Sequence, residues 1–365
     1  MAYFELRPTC ASPDYPIYGA EWAGTSDPSW TRTDAAATFS DPNPYYAGMS
    51  GTPSSPFDNI SPWKDMVISE DSEAGTLVSI PKFYYKWTRT GDKMKLQISM
   101  HQYDGFFVSP FHMDRGDGKG ERDIAYGGRF HCASDYKSKA GVKPKASATR
   151  ATFRSGIHNL GSTIWQGDLA LFWTLRMLYL VEFAHWNSQE KIGYGCGNGS
   201  SAGNMGYTNS MPYHTGTTQS SRTTYGLGTQ YRYFEGLWDN VYDFVDGVYG
   251  SGTNLYCIKN PANFSDSSGG VNVLSRNTID AEISAWTQSS VTGYEYVVYP
   301  SAGVSNSNYD TYVCDQGYVK TTGTTTVATG NHWDRRQLAG LFHIYSGIGV
   351  SETYAHYGSR LMKLP

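Results

Sequence analysis

Apolar residues recur every three or four positions between Gln166 and Trp186, the most regular hydrophobic pattern in the chain. Such spacing puts the apolar side chains on one face of an α-helix. Asp168 stands where it can cap the first turn, and Gly193 lies just beyond the end. A second, shorter helix is predicted over about 147–158. The pattern therefore predicts two helices in the sequence.

Elsewhere the pattern favours short strands separated by turns. The stretch TLVSIPKFYYKWTRTGDKMKLQISM, residues 76–100, has β-branched and aromatic runs on both sides of a Thr-Gly-Asp turn. This arrangement predicts a β-hairpin. Similar short runs, separated by Gly, Ser and Asn, continue in the last third of the chain. Two helices packed against many short, irregular antiparallel strands predict an α+β fold.

The distribution of Pro, Gly and polar residues divides the chain. Residues 1–75 are rich in Pro, Ser, Asp and aromatic residues and show little periodicity, which predicts an N-terminal attachment or oligomerisation segment. Residues 76–365 are predicted to form the ligand-binding domain. Within it, residues from about 195 to 230 are dominated by Gly, Ser, Thr, Asn and Tyr and form a polar insertion, ordered only if something packs on it.

The composition changes this picture towards a binding protein. The chain holds 29 Tyr, 10 Trp and 40 Gly, and only 17% of its residues are charged. Tyr and Trp offer large, stiff surfaces at low entropic cost, as in antibody loops. The alternative is a turn-rich β protein that packs its Tyr and Trp inside, and composition does not decide between the two.

Charge and cysteine content exclude several classes of protein. The net charge is −4 and no Lys/Arg cluster occurs, so we expect no nucleic-acid partner. No apolar run approaches the roughly 20 residues that span a bilayer, and MAYFELRPTC lacks the features of a secretion signal, so we expect no membrane insertion. The odd number of cysteines predicts free thiols in a reducing cytoplasm: Cys10, Cys132, Cys196, Cys257 and Cys314.

Candidate catalytic and metal-binding motifs are sparse. The histidines form no HExxH pattern, and no nucleophile elbow, P-loop or dinucleotide-binding motif occurs, so we expect a protein that is not an enzyme and has no cofactor. The exception is Asp239, Asp243 and Asp246, which could hold a structural Ca²⁺. The alternative is that they cap turns around Trp238 and Phe244.

The C-terminal stretch from Asn331 to Leu364 alternates small or apolar residues with Arg, His and Tyr. Arg and Tyr are enriched at binding hot spots. The stretch predicts either a binding face or an ordinary terminal hairpin. Its framework residues would be Trp333, Ala339, Gly340, Leu341, Phe342, Gly358, Ser359, Arg360 and Leu361.

Three segments in order carry a resemblance to a known family: LVEFAHWNSQ, GLWDNVYDFVDG and AGLF…GSRLMKLP. This order resembles the C-type-lectin-like domain shared by formylglycine-generating enzymes and by the variable proteins of diversity-generating retroelements. SPFDNISPWKDM and IPKFYYKW are similar to phage tail proteins that carry such domains. The resemblance covers about residues 55–365 and implies a C-type-lectin-like fold.

The retroelement branch of the family implies a variable region over about residues 331–357. Its variable positions are those whose codons can arise from randomised adenines. Gln337 and Glu352 are excluded because their codons end in a purine, and both are expected to be fixed. The ligand-binding, variable positions that the resemblance implies are His332, Asp334, Arg335, Arg336, Leu338, His343, Tyr345, Ser346, Gly347, Tyr354, His356 and Tyr357.

The resemblance implies a receptor-binding protein of a phage tail, made in the host cytoplasm and carried on the virion. Its partners would be a host cell-surface protein or glycan and other tail proteins, and it would form a homo-oligomer such as a trimer. Alternatives are a variable protein displayed on a bacterial surface, a structural virion protein, and an oxidase of the formylglycine-generating type. The oxidase would need paired late cysteines, whereas Cys257 and Cys314 are isolated.

Overall fold

A computed structural model describes residues 15–195 and 199–365. The prediction of an α+β C-type-lectin-like fold is wrong. The described chain is mostly β, with 35% of its residues in strands and 13% helical, and its largest sheet curls into a half-barrel. The error arose because many strands are short and polar, such as TTTVATG, and pair with segments distant in sequence. Such strands carry little periodic signal of their own.

The strands of the first half are β1 (Tyr18–Trp22), β2 (Trp30–Asp34), β3 (Tyr45–Tyr46), β4 (Ile68–Asp71), β5 (Gly75–Pro81), β6 (Tyr84–Thr90), β7 (Lys93–Ser99), β8 (Phe107–Val108), β9 (Ile124–Gly128), β10 (Ile164–Gln166), β11 (Gly216–Thr217) and β12 (Thr229–Tyr231). Those of the second half are β13 (Phe234–Glu235), β14 (Tyr242–Ser251), β15 (Asn254–Cys257), β16 (Val271–Ser275), β17 (Ile279–Gln288), β18 (Val298–Val304), β19 (Gln316–Val319), β20 (Thr324–Gly330), β21 (Gly340–Gly349), β22 (Tyr357–Gly358) and β23 (Leu361–Lys363). The helices are α1 (Arg150–His158), α2 (Leu169–Phe183) and α3 (Ser188–Lys191).

These strands form four sheets. The first has the order β2-β1-β7-β6-β8, and the second has the order β10-β23-β9-β5-β4. A small sheet has the order β13-β12-β11-β3. The large sheet of nine strands has the order β16-β15-β14-β20-β21-β19-β17-β18, with β22 paired to β14. In the large sheet β21 lies between antiparallel β20 and parallel β19, so the C-terminal stretch runs through its interior.

Both predicted helices are confirmed. The side chain of Asp168 caps α2 by accepting a hydrogen bond from the amide of Leu171, and Thr149 caps α1. The helix α2 differs from the prediction because all of its residues are buried, not only one stripe. Its buried Arg176 and Glu182 are bonded to other parts of the chain, so α2 lies in the centre of the fold. No helix within residues 15–195 and 199–365 is long and apolar enough to cross a lipid bilayer.

Tryptophan rings link the sheets just beyond the end of α2. The ring of Trp186 lies 5.1 Å from that of Trp30 on β2 and 5.9 Å from that of Trp286 on β17. Trp286 in turn lies 5.7 Å from Trp173 of α2. Most tryptophans of the described chain are buried. For tryptophan, the structure therefore agrees with the alternative interpretation of the composition, in which these residues pack inside a turn-rich β protein.

The predicted hairpin is confirmed as β6 and β7, with Thr90 paired to Lys93 across the turn. Strand β7 also pairs with β1, so residues from Tyr18 onward share a sheet with the chain beyond residue 75. Residues 1–14 of the predicted attachment segment lie outside the described residues, and the role of that segment stays a prediction.

The polar insertion is held by two buried carboxylates. Glu235 accepts hydrogen bonds from the amides of Gly206 and Thr208, at 2.7 and 2.9 Å. Asp239 accepts from the amides of Gly228 and Thr229, each at 3.1 Å. These bonds tie the first half and the C-terminal end of the insertion to the chain that follows it. Residues 196–198 at its start lie outside the described residues.

Candidate functional site

The predicted variable residues occupy a loop after β20, strand β21, the loop that follows it, and β22. Some of them are exposed or half-buried, and we call this set the C-terminal face. It consists of Asp334, Arg335, Arg336, Leu338, Tyr345, Tyr354 and His356. Tyr354 is 46% exposed, which is high for an aromatic side chain.

Beneath this face lies a cluster of aromatic rings centred on Tyr242, the first residue of β14. Its ring centroid lies 5.2 Å from those of His332 and Tyr357 and 5.5 Å from those of His343 and Tyr345. Rings at these separations pack favourably, by about 0.5–1.5 kcal/mol a pair beyond the burial of area. The cluster therefore supports the face from below.

Two stacks of rings connect the cluster to the surface. Tyr354 stacks on His356 at 5.4 Å, and His356 stacks on His332 at 4.4 Å. On the neighbouring strand Tyr318 stacks on Tyr345 at 4.6 Å. Each stack begins with a buried or half-buried ring and presents a flat aromatic surface.

The histidines of the cluster are neutral at physiological pH. Burial lowers the pKa of His332 to about 2 and that of His343 to about 3, and it also lowers the pKa of His356. The Nε of Arg335 donates a hydrogen bond to Nε2 of His332 at 3.2 Å, which requires that nitrogen to carry no proton. The charge of the face therefore comes from its rim of Asp334, Arg335 and Arg336.

The structure does not bring all predicted positions to the surface. His332, His343 and Tyr357 are buried in the aromatic cluster. Ser346 is fully buried, and its hydroxyl accepts a hydrogen bond from Arg276 at 2.9 Å. At Gly347 a Cβ atom would lie 2.4 Å from the ring of Tyr318. We therefore do not count these five residues among the contact residues of the C-terminal face.

The AGLF segment is fixed by side chains outside the C-terminal stretch. The guanidinium of Arg176 on α2 donates to the carbonyl of Leu341 at 2.9 Å. The hydroxyl of Ser188 on α3 accepts from the amide of Leu341 at 3.0 Å, and Asp315 accepts from the amide of Phe342 at 2.7 Å. All of these groups are buried, so β21 begins at a fixed point.

The GSRL segment is fixed by Arg360, which is fully buried. Its guanidinium donates to the carbonyls of Gly128, Arg129 and Glu235 at 2.6–2.8 Å. It also lies 3.3 Å from the carboxylate of Asp243. The residues interpreted as framework are all buried, and Ser359 among them accepts a hydrogen bond from the Gln166 side chain at 2.9 Å.

Sequence reasoning missed Tyr242 and Tyr318 as parts of the site. Tyr242 lies in GLWDNVYDFVDG, which was interpreted as a family motif and a possible carboxylate site. It reaches the cluster because β14 pairs with β22, with Tyr242 opposite Tyr357. Tyr318 reaches it because β19 pairs with β21, opposite Tyr345. Only the strand pairing reveals either contact.

The three aspartates considered for Ca²⁺ point to different protein partners. Asp239 accepts from amides of the insertion, Asp243 pairs with Arg360, and Asp246 accepts two hydrogen bonds of 2.7 Å from Arg154. The oxygens of Asp239 and Asp246 are thus directed to protein donors, whereas Oδ1 of Asp243 has no hydrogen-bond partner among the described residues. Within residues 15–195 and 199–365 no group of three or more His, Cys, Asp or Glu is arranged to hold a metal ion.

The cysteines that the structure describes are buried free thiols: Cys132, Cys257 and Cys314. Burial raises the pKa of Cys257 and of Cys314 above the usual range. Because the thiolate is the reactive form, such thiols are poor nucleophiles. Cys10 and Cys196 lie outside the described residues.

No protein-family model matches the chain, and no curated protein is similar to it.

Proposed function

We propose that this chain is a recognition protein that binds a cell-surface ligand through its C-terminal face, in the role of a phage tail receptor-binding protein. The proposal rests on one observation: buried side chains hold the main chain on either side of the face, whereas the side chains of the face itself are exposed or half-buried. Arg176, Ser188, Asp315 and Arg360 hold the segments on either side of the face. The exposed side chains take no part in those bonds.

This separation is what a changeable binding surface needs. Substitution of an exposed side chain costs within about 0.5 kcal/mol when its backbone is held by other residues. Asp334, Arg335 and Tyr354 can therefore be exchanged without refolding the chain. Because the sequence motifs resemble those of retroelement variable proteins, the proposal also includes variation of this face by a retroelement. The C-type-lectin-like fold adds nothing to it, because the sheets differ.

The chemistry of the face suits a ligand with a flat apolar surface and hydrogen-bond acceptors. The rings of Tyr345, Tyr354 and His356 offer stacking surfaces, and Arg335 and Arg336 offer donors on the rim. A host glycan or an aromatic protein side chain meets these requirements. Display of several copies on a fibre, as in a trimer, would raise a modest affinity through avidity.

Binding of fluorescently labelled protein to a panel of intact bacterial strains tests the proposal. We expect the unmodified protein to bind some strains and the double variant Tyr354→Ala/Arg335→Ala to bind at least about tenfold more weakly, the effect of two hot-spot residues. Lys93→Ala, an exposed change on β7, is the matched control and should bind normally. Equal binding by the double variant, or binding to no strain, would contradict the proposal.

Sequencing of many isolates tests the variation. We expect substitutions within 331–357 to concentrate at the exposed positions of the face and to spare Ser346 and Gly347. If residues 331–357 proved no more variable than residues 160–190, diversification by a retroelement would be excluded.

A further inference from the structure

A cavity of about 200 Å³ lies where the polar insertion meets the second sheet and the small sheet. None of the residues of the C-terminal face lines it. Polar planar side chains and tyrosine rings dominate its walls: Arg129, Asn209, Tyr213, His214, Gln230 and Tyr233.

Arg129 is a cation in this wall that forms no ion pair with the described residues; the carboxylate of Glu235, which accepts from the Thr208 hydroxyl, attracts it from a distance. Arg129 follows β9, and only 9% of its surface is exposed. No carboxylate among the described residues lies within 4 Å of its guanidinium. Its side-chain hydrogen bond is a long one, 3.5 Å from Nη2 to the hydroxyl of Thr208, and its Nε has no partner. A buried charge is costly unless it is paired. An arginine in this state favours an anionic ligand, which its planar fork binds in a bidentate manner.

Gln230 supplies a second incompletely satisfied group. Its amide nitrogen donates to the carbonyl of Tyr213 at 2.7 Å, while its Oε1 is buried without a hydrogen-bond partner. Buried polar atoms without partners are uncommon in folded proteins and point to an absent water or ligand. A ligand that brings both an anion and a hydroxyl would satisfy Arg129 and Gln230 together.

The turn that carries Tyr233 is strained. Arg232 and Tyr233 connect β12 and β13, and both have positive φ, +45° and +73°. Turns of this kind strongly favour Asn-Gly, because a left-handed conformation costs other residues about 1–2 kcal/mol each. Strain of this sort concentrates at functional sites. Here it sets the ring of Tyr233 edge-on to that of His214, 5.6 Å away.

The part of the wall next to Tyr233 is fixed in advance. His214 is held at both ring nitrogens, with Nε2 2.9 Å from Asp58 and Nδ1 2.8 Å from the hydroxyl of Thr215. The hydroxyl of Tyr213 donates to Asp58 at 2.6 Å. Walls held this firmly lose little entropy when a ligand enters.

We propose that this cavity binds a carboxylate-bearing sugar unit of the uronic acid type. Arg129 would hold the carboxylate, Gln230 and Asn209 would bind hydroxyls, and the ring of Tyr233 would pack against the sugar. The cavity is smaller than the roughly 300–1,000 Å³ of drug-sized sites, which suits a single sugar unit. Arg129 brings a positive charge to the lining, which contains no Asp or Glu among the described residues. Asp58, which contacts His214, is bonded to the Tyr213 hydroxyl and to Arg232, and Arg232 is also paired with Glu182. The polar insertion thereby gains a role as one wall of a sugar site.

Isothermal titration calorimetry of the unmodified protein with glucuronic acid tests this proposal. Glucuronic acid should bind, and both its methyl ester and glucose should bind at least about tenfold more weakly, since they lack the charge-assisted bond to Arg129. No heat from glucuronic acid at about 10 mM would overturn the proposal. Equal binding of the methyl ester, or binding of acetate as strong as that of glucuronic acid, would also overturn it.

Two variants locate the binding. Arg129→Gln should lower the affinity for glucuronic acid at least about tenfold. Because Arg129 is buried, Asn209→Ala provides a second test at an exposed position and should weaken binding several-fold. Lys93→Gln, an exposed change on β7 outside both sites, is the control and should leave glucuronic acid binding unchanged. Unchanged affinity in both cavity variants, or a loss in Lys93→Gln, would overturn the assignment of the site.

Discussion

The Nε of Arg360 lies 3.3 Å from the carboxylate of Asp243, and both side chains are excluded from solvent. The pair joins the segment before β23 to the long strand β14. Burial raises the pKa of Asp243 to about 6, and the positive charge of Arg360 opposes that rise. The same arginine also holds three main-chain carbonyls. It therefore connects the second sheet to the large sheet.

Removing the arginine of this pair should destabilise the chain strongly. We expect Arg360→Met to lower the free energy of unfolding by about 3–5 kcal/mol, because it leaves a buried carboxylate and three carbonyls unpaired. Urea unfolding followed by tryptophan fluorescence measures the change. Arg335→Met, on the exposed loop, serves as control and should stay within about 0.5 kcal/mol. Similar values for the two variants would show that Arg360 is not a framework residue.

A smaller cost is expected at Ser346, a buried residue of β21. Ser346→Ala removes the acceptor for Arg276 and should lower the free energy of unfolding by about 1–3 kcal/mol. Arg335→Ala on the same C-terminal stretch should change it by less than about 0.5 kcal/mol. If Ser346→Ala proved as neutral as Arg335→Ala, Ser346 would have to be returned to the face.

The backbone at Arg336 gives a prediction of opposite sign. Its φ is +46°, and its carbonyl accepts a hydrogen bond from Gln189 at 2.8 Å, which fixes this conformation. We expect Arg336→Gly to raise the free energy of unfolding by about 0.5–1 kcal/mol, since glycine tolerates the left-handed region. Arg335, with φ of −95°, is the matched position, and Arg335→Gly should give no gain. Thermal unfolding of the two variants compares them, and a gain only in Arg335→Gly would refute the assignment.

Acid should destabilise the aromatic cluster through its histidines. The pKa of His343 is about 3 in the folded chain and about 6.5 in the unfolded chain, so the unfolded chain binds more protons between these values. The contribution of His343 to stability is complete above pH 6.5 and declines as the pH falls towards 3, by up to about 1.4 kcal/mol per pH unit.

Unfolding free energies measured from pH 7 to pH 4 test this dependence. His343→Gln should flatten the decline, because glutamine does not titrate and can still donate to the carbonyl of Leu338. Glu235 and Asp243 have the opposite effect on the pH dependence of stability, because burial raises the pKa of each to about 6. Their contribution is the same in the variant and in the unmodified protein, so it cancels when the two are compared. His101→Gln, at an exposed histidine, is the control. A variant with the same pH dependence as the unmodified protein would rule out His343 as the cause.

The features predicted from the sequence are those fixed by local interactions. The helix α2 followed from apolar residues at every third or fourth position with Asp168 as its cap, and the hairpin β6–β7 from a short turn between β-branched runs. The burial of Leu341 and Phe342 followed from their apolar character. In each case the residues that determine the structure are neighbours in the chain.

The features that were missed depend on pairing between distant segments. The order of the large sheet places β21 beside β19 and β20, and no local pattern specifies that order. The burial of Ser346 was not foreseen either, because the codon pattern that selected it carries no information on burial, and the pairing of β21 with β20 shifts register between Tyr345 and Ile348. Tyr242 entered the site by pairing with a strand near the end of the chain.

The position of β23 has a consequence for how the chain folds during synthesis. This strand lies inside the second sheet, between β10 and β9, although those strands are made much earlier. Until Leu361–Lys363 leaves the ribosome, both strands have an unpaired edge, and Arg360 cannot reach its carbonyls. Unpaired edges are prone to wrong association. The nascent chain should therefore remain protease-sensitive until β23 inserts, and the C-terminal face should be completed in the same step as the core.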